Sequence, residues 1–179
     1  LVSAGAKVTF VYGPGNEKPP KGAKIINIVS SNELYNVVKN QLKNKFDIVI
    51  MAAAISDYIP KNPSKKKIKS SKTNLSISLK KAPKIINEIK KIQKNILLVG
   101  FKAETNVTNT QLIKSAKKKL KESSSDIIIA NDIGISRYKK NSQNNQIIIV
   151  DSKKNIVSGW MKKDKIVKII RKQIESKLK

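Results

Sequence analysis

Asp57 closes the stretch Phe46-Asp47-Ile48-Val49-Ile50-Met51-Ala52-Ala53-Ala54-Ile55-Ser56-Asp57-Tyr58-Ile59-Pro60, where an apolar run gives way to alanines, an acid, an aromatic and a proline. Small side chains such as Ala52 and Ala53 let a ligand approach the backbone, and buried amides beside them can read a base. A carboxylate in this position accepts hydrogen bonds from sugar hydroxyls or helps to hold magnesium. A packed strand end followed by a solvated acid fits the same spacing. Lys67 lies in Lys67-Ile68-Lys69, the densest part of a basic segment over 61–72. Its ammonium is a compact cation suited to a polyphosphate and to the charge on a departing pyrophosphate, although most lysines in so basic a chain are simply solvated. The same two readings hold for Lys119. Phe101, between Gly100 and Lys102-Ala103, is either core or the wall of a base pocket. The 179 residues include no Cys and no His. Disulfides, thiol nucleophiles, Cys/His zinc sites, Ser-His-Asp triads and histidine bases are therefore excluded.

The elements that must position these residues follow from periodicity. Leu1-Val2-Ser3-Ala4-Gly5 reads as the last turn of a helix with its C-terminal glycine, followed by a strand over 7–12. A helix passing through glycine into a strand is the second half of a βαβ unit. Its first strand, and any glycine-rich loop after it, are expected before residue 1. A short strand over 24–29 precedes a capping box at Ser30 and Glu33 and a helix carrying Leu34, Val37, Val38 and Leu42 on one face.

The run 47–53 is continuously apolar and β-branched, which predicts a strand buried on both faces of a parallel sheet. The alternation Leu75-Ser76-Ile77-Ser78-Leu79 predicts a half-exposed strand that forms, with the basic segment, a two-stranded arm over about 61–80. Pro83 fits the first position of a helix through Ile85, Ile86, Ile89 and Ile92. Buried strands are expected over 96–101, 126–130 and 146–150, with a brief strand at Ile156-Val157. A lysine-rich helix over 110–122 and an amphipathic helix over 163–178 complete the pattern.

Strands alternating with helices predict an α/β fold: a three-layer α/β/α sandwich around a Rossmann-like, mainly parallel sheet, with antiparallel strands at one edge. The chain ends of strands after Ala53, Phe101 and Ala130 then share the carboxyl edge, where open α/β sheets bind ligands.

Length predicts one domain over 1–179. No run approaches the roughly 18 apolar residues of a membrane span, and no signal-peptide pattern opens the chain, so a cytoplasmic protein without a membrane partner is expected. The formal net charge is +26, from 38 Lys+Arg against 12 Asp+Glu. Such an excess points first to nucleic acid, but base readout favours arginine forks. Here the charge is almost all lysine and accompanies abundant isoleucine and asparagine over the whole length, as A/T-rich codon usage produces. Nucleic acid is therefore not the expected partner, although the surface will concentrate anionic small molecules.

The order Gly5-Ala6-Lys7-Val8-Thr9, Gly13-Pro14, Ala52-Ala53-Ala54-Ile55-Ser56-Asp57-Tyr58-Ile59-Pro60, Lys67-Ile68-Lys69, Pro83-Lys84-Ile85-Ile86, Gly100-Phe101-Lys102-Ala103-Glu104-Thr105, Ala116 to Lys119-Leu120 and Ala130-Asn131-Asp132 resembles the phosphopantothenate–cysteine ligase domain. In bacteria this domain is commonly fused behind a phosphopantothenoylcysteine decarboxylase. The resemblance implies a ligase of coenzyme A biosynthesis. CTP would activate 4′-phosphopantothenate as an acyl-cytidylate with release of pyrophosphate, and the amine of L-cysteine would then displace CMP. It also implies Mg2+, a homodimer contacted through the basic arm, and FMN only in a fused decarboxylase outside this chain.

By motif, the nucleotide would be met by Met51, Ala52, Ala53, Asp57, Lys67, Pro83, Lys84, Ile85, Ile86, Phe101, Lys119 and the position of Ser123, with Lys67 in the catalytic role. No metal ligand is assigned. The chain departs from the family pattern at Ser70, where lysine is usual, at Lys84, where aspartate is usual, and at Ser123, where a second lysine is frequent. The family's first strand, glycine-rich loop and intermediate-handling asparagine are expected before residue 1. A noncatalytic anion- or nucleic-acid-binding α/β module is the alternative.

Overall fold

The computed structural model describes residues 1–64, 66–68, 74–134 and 143–178. A 3₁₀ turn, Val2–Ala4, ends at Gly5, whose φ of +84° supplies the left-handed cap that glycine adopts without steric cost. The chain continues through β1 (Thr9–Tyr12), β2 (Lys24–Asn27), α1 (Ser31–Gln41), β3 (Ile48–Met51), β4 (Tyr58–Pro60), β5 (Leu79–Lys81) and α2 (Ile85–Ile92). It then forms β6 (Leu97–Glu104), α3 (Asn109–Ser123), β7 (Ile127–Asp132), β8 (Asn144–Asn145), β9 (Ile148–Val150), β10 (Asn155–Val157), β11 (Met161–Lys162) and α4 (Lys163–Glu175).

The principal sheet has five strands in the order β10-β9-β7-β6-β3. β3, β6 and β7 are parallel, while β9 pairs antiparallel with β7 and β10 antiparallel with β9. Alternation along these strands sorts the side chains to two faces. On one face Leu97, Val99, Ile127, Ile129 and Ile149 pack against Ile166 and Ile174 of α4. On the other, Ile128, Ala130, Ile148 and Val150 meet Leu112 and Ala116 of α3, and Leu98 meets Ile86 and Ile89 of α2. The result is the expected three-layer sandwich. Each fully buried isoleucine contributes about 1.5–3 kcal/mol, so this sheet is the rigid frame of the molecule.

Several local expectations change. β3 is only half-buried, not enclosed on both sides, because among the described residues it is hydrogen-bonded to β6 alone and forms the sheet edge. β1 and β2 pair in parallel as a separate two-stranded sheet. β6 and β7 extend beyond the expected ends at Phe101 and Ala130, because their pairing continues through Glu104 opposite Asp132.

The arm starts as an antiparallel pair of β4 and β5, but its strand is 79–81 rather than 75–79. Leu75, Ile77 and Leu79 are all exposed, not alternately buried. Residues 65 and 69–73 of the arm, including the expected contributions of Lys69 and Ser70, lie outside the described residues.

Pro83 precedes the N-cap Lys84 of α2 instead of occupying the first helical turn, and Ile92 faces solvent. Ser30 caps α1 by accepting from the Glu33 amide, but Glu33 Oε2 reaches back to the Val29 amide, one residue before the cap. Among the described residues, no helix is long and apolar enough to cross a membrane.

Candidate functional site

The stagger of β3 against β6 makes a cleft. Met51, the last residue of β3, pairs with Gly100, and β6 runs on without β3 beside it. The segment after β3 turns away and returns through β4 and β5, with the Ala82 amide donating to the Asp57 carbonyl at 2.9 Å. This closure delivers Ala82, Pro83 and the N-terminus of α2 opposite the end of β3. Between them lies an open cleft holding about 510 Å³ of non-protein space, its solvent mouth included. Gly100 lets α2 sit close: a Cβ there would lie 2.8 Å from Ile128 Cδ1 and 2.9 Å from Ile86 Cδ1.

Met51, Ala53, Asp57, Pro83, Lys84, Ile85, Ile86, Phe101 and Lys119 all line this cleft. The structure thus brings together residues from four elements that are far apart in sequence. Ile55, Ser56 and Ala82 line it as well and carry no chemical signature that singles them out in sequence. Ser56 can be rationalised afterwards, because its hydroxyl donates to the Tyr58 carbonyl at 2.7 Å and accepts from the Tyr58 amide at 3.4 Å, a turn typical of serine.

Three expected contacts are not placed in the cleft. Ala52 is exposed and is not among the lining residues. Lys67 is exposed on the arm and is not among the lining residues. Ser123 is buried, its Oγ donating to the Lys119 carbonyl at 2.7 Å and lying 2.7 Å from Ser125 Oγ, so its side chain is turned into the protein.

The charges in and beside the cleft are arranged, not scattered. Lys84 Nζ donates to Asp57 Oδ1 at 2.6 Å. That hydrogen bond and the charge of Lys84 hold the Asp57 carboxyl below its usual range, so it is ionised at neutral pH. Lys119, half-buried on α3, has its ammonium pKa lowered, first by burial and then by the charge of Lys84, with Lys102 adding to the effect.

Lys102 is neutralised nearby, 3.1 Å from Glu104 Oε1, which also accepts a 2.5 Å hydrogen bond from Ser115 Oγ. The Ser115 hydrogen bond, with help from Lys102, lowers the pKa of Glu104. Among the described residues no group of three or more His, Cys, Asp or Glu could hold a metal by itself. Asp57 is the one carboxylate among the residues lining the cleft. That donor set suits a magnesium ion carried largely by a ligand's own phosphates.

An α/β domain of the doubly wound type thus carries, beyond the carboxyl end of a parallel strand, a cleft lined by an aromatic, apolar side chains, a carboxylate and two ammoniums. The chain belongs to the family described as the DNA/pantothenate metabolism flavoprotein C-terminal domain, which matches residues 1–178.

It is 40% identical over 175 residues to the coenzyme A biosynthesis bifunctional protein CoaBC of Borreliella burgdorferi, covering 96% of this chain and 42% of that relative. The crystal structure of the DNA/pantothenate metabolism flavoprotein from Streptococcus pneumoniae matches with a TM-score of 0.83 at 25% identity, over 98% of this chain and 83% of the other. The C-terminal domain of CoaBC matches with a TM-score of 0.78 at 28% identity, over 99% and 77%. The chain spans less than half the length of the curated relatives it matches.

Proposed function

We propose that the chain is the phosphopantothenate–cysteine ligase domain of a coenzyme A biosynthesis protein. In this reaction a carboxylate oxygen of 4′-phosphopantothenate attacks the α-phosphorus of CTP and pyrophosphate leaves. The amine of L-cysteine then attacks the acyl carbon of the acyl-cytidylate, and CMP leaves. The observation that carries the reading is the convergence on one cleft of Met51, Ala53, Asp57, Pro83, Lys84, Ile85, Ile86, Phe101 and Lys119 from separate elements.

In this reading Phe101 and Ile86 form the apolar wall for the base, and the ionised Asp57 accepts hydrogen bonds from the ribose. Lys119 supplies positive charge where a triphosphate is bound and a pyrophosphate departs. Mg2+ bound with the nucleotide supplies charge neutralisation that lets a carboxylate approach a polyanion. Lys67, on the exposed arm, acts in this reading by reaching the triphosphate only when ligand or a second copy brings the arm to the cleft.

Two further parts of the assembly belong to the proposal. The exposed, alternating Leu75, Ile77 and Leu79 on the arm suit burial against a second copy in a homodimer. Residues 1–179 are read as a single ligase domain.

The test supplies phosphopantothenate, cysteine, Mg2+ and either CTP or ATP to the chain and to a form extended at its N-terminus, and follows pyrophosphate release. The expected result is pyrophosphate release with CTP. No release with either nucleotide from either form would reject the ligase reading.

A further inference from the structure

Lys84 stands at the N-terminus of α2 and faces the same cleft as Lys119, with the Asp57 carboxylate 2.6 Å from its ammonium. Both members of this ion pair are exposed, at 57% and 68% of their side-chain surface. An exposed pair of this kind contributes little to folding, so its partners are available for exchange at small cost. The other nearby cation, Lys102, is held by Glu104, and Ser123 turns its hydroxyl into the protein. Among the described residues Lys119 has no ion-pair partner within reach. Lys84 and Lys119 are therefore the two ammoniums that line the cleft, with one carboxylate against them.

We infer that Lys84 is a phosphate-binding residue of this cleft, and that its ion pair with Asp57 is exchanged when a phosphorylated ligand binds. The phosphate oxygens take the Lys84 ammonium, together with that of Lys119, and Asp57 is released to accept hydrogen bonds from the ligand's neutral hydroxyls. This rests on the nucleotide reading of the cleft and extends it, because the ion pair makes phosphate recognition and hydroxyl recognition interdependent. Two ammoniums and one carboxylate line the cleft, so its lining carries an excess of positive charge that an anionic ligand would balance.

The experiment is calorimetric titration of the chain with inorganic pyrophosphate, cytidine and CTP, separately. A charge-assisted hydrogen bond is worth about 1.5–3 kcal/mol, so Lys84→Gln should weaken pyrophosphate and CTP by about 10- to 100-fold and, by freeing Asp57, tighten cytidine. Asp57→Asn should do the opposite: tighten pyrophosphate by freeing Lys84, and weaken cytidine. Lys168→Gln, an exposed lysine of α4, controls for attraction by overall charge and should change nothing.

Pyrophosphate affinity that is unchanged in Lys84→Gln, or weakened in Asp57→Asn, overturns the inference. CTP binding insensitive to Lys84 would reject the phosphate role and leave the nucleotide reading standing. Lys84-dependent pyrophosphate binding without any CTP binding would uphold the phosphate role and reject the nucleotide reading.

Discussion

Replacing Lys119 with methionine should make the protein more stable and, under the proposed function, worse at binding CTP. The two effects have separate causes. Lys119 is half-buried, and burial followed by the charge of Lys84 makes its protonated form less favourable in the folded chain than in the unfolded one, which the pull of Glu122 only partly offsets. Methionine keeps an unbranched stem and nearly the same helix propensity while removing that charge.

Solvent screens part of the effect, so the gain is up to about 1 kcal/mol, a rise in Tm of about 2–4 °C for a chain of this size. Against this, a lost charge-assisted hydrogen bond of about 1.5–3 kcal/mol weakens CTP by about 10- to 100-fold. The sign with pH follows from a folded pKa below the ordinary 10.5. The penalty is fully present below the folded pKa and disappears as pH rises through it and past the unfolded value. The stability advantage of Lys119→Met should therefore be constant near neutrality and vanish at high alkaline pH. Thermal unfolding across pH, with CTP titration at neutral pH, reads both quantities. A destabilised Lys119→Met with unchanged CTP affinity would refute the reasoning, since it would show that the lysine stem is a packing element and its charge is idle.

Three other outcomes are expected. The buried Asp132 carboxylate accepts from the amides of Asn106 at 2.9 Å, Val107 at 3.3 Å and Gly134 at 2.8 Å. At about 1–3 kcal/mol per orphaned group, partly relieved by water, Asp132→Ala should cost about 3 kcal/mol in urea unfolding, and Asp132→Asn less. Asp151 is buried, which by itself would raise its pKa, but hydrogen bonds from the Lys154 and Lys153 amides and from Lys177 outweigh burial and lower it. Its stabilisation is present above the unfolded pKa and lost as pH falls through the folded one, so Asp151→Asn should lose about 1–2 kcal/mol at neutral pH and flatten the acid limb of stability. Phe101→Ala should raise the KM for CTP by about 3- to 10-fold through lost aromatic contact with little change in kcat, measured by pyrophosphate release.

What could be read in the sequence was whatever a local pattern encodes. The continuous Leu, Ile and Val of β6, β7 and β9 announce buried strands because no other arrangement hides them, and Leu34, Val37, Val38 and Leu42 recur at the helical period. The end of β6 was not legible in the same way. Lys102 and Glu104 look like a polar exit, yet the strand continues because its backbone is paired with β7 up to Asp132 and the two polar side chains neutralise each other. The setting of Ser123 was hidden for a similar reason. The family position implies a nucleotide contact, and nothing in the local pattern shows that its hydroxyl satisfies the last turn of α3 and Ser125. Hydrogen bonds made within the helix or to a neighbour two residues away leave no periodic trace.

The cleft itself depends on a quantity that no single stretch contains, the difference in length between two neighbouring strands. β3 stops at Met51 because three alanines follow it, side chains too small to continue a packed edge, and β6 continues because β7 supports its far side. The step between them leaves the edge of β6 from Phe101 onward unpaired by β3, and the return through β4 and β5 brings Lys84 to the same cleft as Phe101. Lengthening β3 by β-branched residues, as in Ala52→Val with Ala53→Val, would extend pairing along β6 and fill the step. The expected result is unchanged or greater stability with loss of CTP binding, since the valines would add strand propensity at the expense of the space that the proposed function assigns to the base. Retained CTP affinity in that double variant would show that the ligand does not occupy the step, and the site would have to be sought along the arm instead.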